Sequence, residues 1–126
     1  MAQEGGRADD AVRRTRGGLI GMWVRSAFWV GRAKPGAEAR FTSLVNTVLV
    51  PQIAILPGVQ AAKALWPVHR EDNPPDIACQ ILVEFESREH VERMLASAER
   101  RAMREHVVEI IALFDGTISH IDYEVA

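Results

Sequence analysis

Apolar residues along the chain fall into strand-like and helix-like stretches separated by glycine and proline. Residues 20–30 are rich in β-formers. Met22, Val24, Ser26, Phe28 and Val30 point to one face, and Trp23, Arg25, Ala27 and Trp29 to the other. Both faces carry large apolar groups, as in a strand covered on both sides. Gly31, Pro35 and Gly36 close it. From about Ala37, Phe41, Leu44, Val45, Val48 and Leu49 recur at helical spacing. Pro51, which lacks an amide proton, predicts a break near Leu49. After Pro57-Gly58, Val59 to Trp66 reads as a second strand, and His69 to Asp76 as a polar loop stiffened by Pro74 and Pro75.

Ile77 to Phe85 gives the clearest alternation, with Ile77, Cys79, Ile81, Val83 and Phe85 on one face. Ser87 is placed to cap a helix that carries Val91, Met94, Leu95 and Ala98 on one stripe. The stripe resumes after a phase slip near Arg101 as Met103, Val107, Ile110, Ile111 and Phe114, which predicts two helical pieces joined by a bend. Asp115-Gly116 suits a helix stop with glycine in the left-handed cap position. Thr117 to Val125 alternates as the last strand. The order β-α-β-β-α-β predicts an α+β, ferredoxin-like domain over residues 19–126, after a mobile tail of residues 1–18. Both helices cover one face of a four-stranded antiparallel sheet. The other face, assigned Trp23, Trp29, Leu82, Gln80 and Arg25, is expected to meet a second copy and form a homodimer.

Composition narrows the functional classes. The chain has 126 residues, enough for one domain, and a net charge of −2, which supplies no basic footprint for nucleic acid. No stretch approaches the roughly 20 apolar residues that span a bilayer, so no membrane partner is expected. Cys79 is the single cysteine, which excludes an intramolecular disulfide and a thiolate metal site and fits a reducing, cytoplasmic setting. No phosphate loop or nucleophile elbow occurs, and no cofactor or metal is expected.

The segments Leu56-Pro-Gly-Val59, Ile81-Leu-Val-Glu-Phe-Glu-Ser87 and Ile121-Asp-Tyr-Glu-Val125 resemble the dimeric α/β-barrel superfamily, and within it the stress-responsive α/β-barrel (Dabb) domain. The resemblance covers about residues 20–125. It implies a paired barrel with an internal apolar cavity. Enzymatic members of that kind look like cofactor-free aldol cyclases that use a histidine and a tyrosine. They carry a histidine on the first strand with an aromatic four residues on, and a His-Pro-x-His stretch on the second helical segment. Here Arg25 stands in the first place, ahead of Trp29, and Arg101-Ala-Met-Arg104 in the second. An arginine stays protonated near neutral pH and cannot act as a general base. It can hold a carboxylate, enolate or phenolate.

The candidate ligand-binding residues are therefore Arg25, Trp29, Arg104 and His120, and the candidate catalytic residues His106 and Tyr123. His106 lies two residues past Arg104 and is a substitute base, or else an exposed helical residue. His120 shares a strand face with Asp122 and Glu124 and borders either the cavity or the dimer interface. Tyr123 has neighbours Ile121 and Val125 that are expected to face the core, so its hydroxyl either reaches the cavity or packs with one hydrogen bond. The expected function is binding of a small apolar or aromatic acid-like molecule, with cofactor-independent cyclase- or isomerase-type catalysis. A non-catalytic stress-related or interaction scaffold and a cofactor-free monooxygenase are the alternatives. The cavity lies either inside each subunit or between the facing sheets.

Overall fold

A computed structural model describes residues 21–126; the tail expected over residues 1–18 lies outside them. The chain forms β1 (Trp23–Ala33), α1 (Glu38–Leu44), a π-helical turn (Val45–Leu49), α2 (Val50–Ala54), β2 (Ala61–Leu65), β3 (Ile77–Phe85), α3 (Arg88–Leu95), α4 (Ala98–Ile111) and β4 (Phe114–Glu124). The strands make one sheet in the order β2-β3-β1-β4, with every pair antiparallel. This is the ferredoxin-like arrangement, with the longest pairing between central β1 and edge strand β4.

The register decides which residues share a face. Trp23 pairs with Phe85, Arg25 with Val83, Ala27 with Ile81 and Trp29 with Cys79. On the other side Arg25 meets Asp122, Ala27 meets His120 and Trp29 meets Ile118. Directly paired residues point to the same side. The face that carries Trp23 and Trp29 is therefore the helix-covered one, a correction to the expectation that it meets a second copy. Trp29 is 2% exposed and sits edge-on to Phe41 and Phe114, with centroids 5.4 and 5.3 Å away. Its neighbours in the core include Cys79, Ile81, Val83 and Phe85 from β3 and Val91 and Met94 from α3. The outer face consists of Val24, Phe28, Leu82, Ile121 and Tyr123 around Ser26, whose hydroxyl donates to Gln80 Oε1 at 3.1 Å.

The helices depart from expectation at three points, each with a local cause. Pro51 does not end the first helix. The π turn inserts one extra residue before it, so that the Val50 amide reaches back five residues to the Val45 carbonyl. Pro51 then enters the first turn of α2, where no amide donor is needed. The helix thereby runs on to Ala54 and carries Leu49 and Ile53 over the sheet. The second bend falls at Ala96-Ser97 and not near Arg101. The Ser97 hydroxyl donates to the Met94 carbonyl at 2.8 Å and accepts the Arg100 amide at 3.1 Å, closing α3 and capping α4 with one group. Finally, Gly116 lies inside β4, not at a helix cap. It pairs with Gly31, and a Cβ on it would sit 2.0 Å from the Val30 carbonyl oxygen. The two glycines allow β1 and β4 to cross at close backbone approach.

Candidate functional site

Helix α4 buries only Ile110 completely, although Met103, Val107 and Ile111 continue its apolar stripe. The helix does not seat fully on the sheet, and the space left beneath it is a cavity of about 340 Å³ that opens to solvent. Its floor is the helix-side face of β1, β3 and β4, and its roof is α4 with the end of the first helical segment. It lies within a single chain, beneath the helices and not on the outer sheet face. Trp29, Ile81, Met94 and Ile118 line the apolar part. The volume falls in the range of small-molecule sites, about 300–1,000 Å³.

All the ionisable groups that line this cavity are basic: Arg25, Arg100, Arg104 and His120. Arg25 comes from β1, and its Nη1 donates to Asp122 Oδ1 of β4 at 2.9 Å, with side chains 17% and 34% exposed. Arg100 and Arg104 stand one turn apart on α4, with no ion-pair partner among the described residues. The Ser97 cap fixes the helix start, and hence the direction in which both arginines leave it. Burial, then Arg104, then Arg25 push the Arg100 pKa down from its ordinary value. His120 sits opposite Ala27 in the sheet. Its pKa is also pushed down, first by burial and then by Arg25 and Arg100, while Asp122 acts weakly in the opposite sense. The imidazole is thus held neutral near pH 7. Three guanidinium groups face one carboxylate, so two positive charges are uncompensated at this end of the cavity. Four residues along β1, about 13 Å by strand rise, Trp29 marks the apolar end.

The structure therefore brings together four of the residues singled out from the sequence: Arg25, Trp29, Arg104 and His120. It does not bring Tyr123 or His106 to the same place. Tyr123 pairs with Val24 on the outer sheet face and is 42% exposed, because β4 alternates and His120 takes the inner side. The expectation that Tyr123 follows a core-facing Ile121 is corrected on the same ground, since Ile121 is 47% exposed. His106 lines a separate cleft of about 220 Å³ with Gln52, Ile55 and Glu99. Leu56 and Met103 border both spaces. His69 pairs with Glu71 at 3.0 Å on the surface. Arg101 turns away from the cavity to donate to the Ala96 carbonyl at 3.0 Å.

Arg100 was not singled out from the sequence, although the signal is present: it precedes Met103 by three and Val107 by seven, which puts it on the apolar stripe of α4. Among the described residues no group of three or more His, Cys, Asp or Glu gathers as metal ligands would, and no helix is long and apolar enough to cross a membrane.

No family model and no curated protein matches the sequence. Solved structures do match. An ethyl tert-butyl ether d (ethd) family protein from Bacillus halodurans superposes with a TM-score of 0.65 at 12% identity, over 83% of this chain and 99% of that one. Hydroxynitrile lyase from Passiflora edulis gives 0.63 at 14% identity, over 83% and 94%. A Dabb family protein with a ferredoxin-like fold from Mesorhizobium loti gives 0.57 at 16% identity, over 82% and 95%. The chain has the ferredoxin-like fold of these structures, the fold expected from its sequence.

Proposed function

We propose that this protein binds a small, largely apolar or aromatic organic acid in the cavity beneath α4, with the acid group held by Arg100 and Arg104 and the hydrocarbon body directed toward Trp29. The observation that carries this reading is the sorting of the cavity wall: apolar side chains over most of it, and uncompensated guanidinium groups at one end. Two adjacent unpaired positive charges at the solvent-open end of an apolar cavity, Arg100 partly buried and Arg104 exposed, attract an anion. Arg25 is already engaged by Asp122, so it orients and adds field more than it captures. The presence of a hydroxynitrile lyase among the structures with this fold supports the reading.

The same proposal includes a homodimer through the outer sheet face, where Ile121, Tyr123 and Leu65 are 47%, 42% and 40% exposed beside Phe28 and Leu82. The test of binding is calorimetric titration with a panel of aryl acids and their primary amides. One charge-assisted hydrogen bond contributes about 1.5–3 kcal/mol, so each acid is expected to bind about 10- to 100-fold more tightly than its amide. Equal affinity of acid and amide, or no binding by any acid, defeats the reading.

A further inference from the structure

We propose that His120 is the general base of this cavity and that its substrate is a hydrophobic 2-oxo acid, interconverted between keto and enol forms. The inference rests on the binding reading above and adds to it a proton acceptor and a substrate class.

The residue inventory of the wall leads to the base. Of the side chains that line the cavity, only Arg25, Arg100, Arg104 and His120 can ionise. The three arginines stay protonated at every working pH and cannot accept a proton. Asp122, the carboxylate next along the same strand face, is engaged by Arg25 at 2.9 Å. His120 is then the one group on this wall able to take a proton and return it.

The number and placement of the arginines lead to the substrate. A lone carboxylate is satisfied by one guanidinium. Arg100 and Arg104, one turn apart and both without an ion-pair partner among the described residues, offer donors for two neighbouring oxygen functions. A carboxylate with an adjacent carbonyl presents those, and an aryl or alkyl group on the far side fills the apolar space toward Trp29. In such a molecule the C3–H bond is acidified by the C2 carbonyl. The imidazole nitrogen of His120 takes the C3 proton, and the C–H electron pair becomes the C2=C3 bond. The carbonyl π pair moves to oxygen, where a guanidinium stabilises the enolate. The imidazolium then delivers the same proton to that oxygen, giving the enol, or back to C3. No oxidant, reductant or co-substrate enters the balance.

Burial and the groups that face His120 set its pH dependence: burial first, then Arg25 from β1 and Arg100 from α4, disfavour its protonation, and Asp122 on its own strand opposes them, while Arg104 of α4 lines the same wall. The base form therefore persists below the ordinary histidine value of about 6.5, and activity is retained down to a pH below that value.

The experiment uses phenylpyruvate with the full chain in deuterated buffer, following loss of the C3 hydrogens by NMR and binding by thermal shift. Exchange well above the buffer rate is expected, falling about 100-fold in His120→Gln while phenylpyruvate still stabilises that variant. His120→Asn serves as a second variant, and a retained melting transition shows that each is folded. His106→Gln, in the separate cleft, is expected to exchange at the wild-type rate. Binding of phenylpyruvate with exchange at the buffer rate, or undiminished exchange in both His120 variants, overturns this inference and leaves the binding proposal standing. Failure of phenylpyruvate to bind while other aryl acids do overturns the substrate class. Failure of every acid overturns the binding proposal as well.

Discussion

Replacing Arg100 by leucine is expected to make the unliganded protein more stable and the liganded one less responsive. Arg100 stands four residues before Arg104 on α4 and in the field of Arg25, and burial already works against its charge. A like-charge pair at this helical spacing costs about 0.2–0.5 kcal/mol, and the lower value applies because Arg104 is exposed and Arg100 only partly buried. A leucine continues the stripe of Met103 and Val107, and covering about 20–30 Å² more apolar surface contributes about 0.5–0.8 kcal/mol. The sum is about 1 kcal/mol, which raises Tm by about 4 °C in a chain of this size. Ligand acts in the opposite direction. An aryl acid at 100 times its Kd stabilises the wild type by about 2.7 kcal/mol. Losing one charge-assisted hydrogen bond weakens Kd by about 30-fold, so that the same ligand concentration is about three times the new Kd and stabilises by about 0.8 kcal/mol. Scanning calorimetry with and without ligand reads both effects in one series. A variant less stable without ligand, or one whose ligand-induced shift is intact, refutes the idea that Arg100 is a strained, anion-seeking charge.

Three other perturbations test separate parts of the structure. Gly116→Val places a Cβ against the Val30 carbonyl at a backbone φ of +154°, and is expected to cost more than about 3 kcal/mol in urea unfolding. A cost within about 0.5 kcal/mol contradicts the close crossing of β1 and β4. Cys79 is fully buried and its thiol pKa is pushed up by burial to about 12, so the reactive thiolate is suppressed at neutral pH. Labelling by a thiol reagent is expected to be slow in native buffer and fast in denaturant, and equal rates refute the burial. Tyr123→Asp introduces a charge on the outer sheet face, and is expected to shift the protein toward monomer in light scattering with no change in phenylpyruvate affinity per chain. An unchanged mass removes the proposed interface from this face.

The three long strands were legible because each carries alternation uninterrupted by proline. Their faces were harder to assign. β1 has tryptophans on one side and Met22, Val24 and Phe28 on the other, so its own pattern names no inner face. Only the pairing with β3, where Trp29 meets Cys79 and Trp23 meets Phe85, settles the choice. The side of β3 was plain, since Ile81, Val83 and Phe85 alternate with Gln80 and Glu84, and aligning β1 to it would have predicted the inner position of Trp29. Tyr123 and His120 then follow together: alternation forces one of them outward, and the apolar company of Tyr123 suggested the wrong one. The continuation of the first helix past Pro51 was not legible, because the π turn that accommodates the proline has no residue signature in Val45 to Leu49. Arg100 was missed for a different reason: a charge on an apolar stripe reads as an end of the stripe until a cavity is found beneath it.

Arginine in place of histidine at Arg25 and Arg104 changes more than the charge of the site. A histidine can be both donor and base, whereas a guanidinium only donates, so a cavity lined with arginines must draw its base from elsewhere on the wall. His120 on β4 fills that role under a constraint. The charges that stabilise an enolate also lower the basicity of the group that must form it. The constraint has a measurable consequence. Replacing Arg100 by leucine removes one cause of the depressed His120 pKa and, at the same time, one stabiliser of the enolate. The acid limb of the pH–rate profile for exchange is then expected to move up toward about 6.5 while the plateau falls by about 10-fold or more. A structural His120 gives no such pairing: the limb stays in place whatever happens to the plateau. A limb that moves up with the plateau unchanged assigns Arg100 to tuning the base alone and removes it from the enolate.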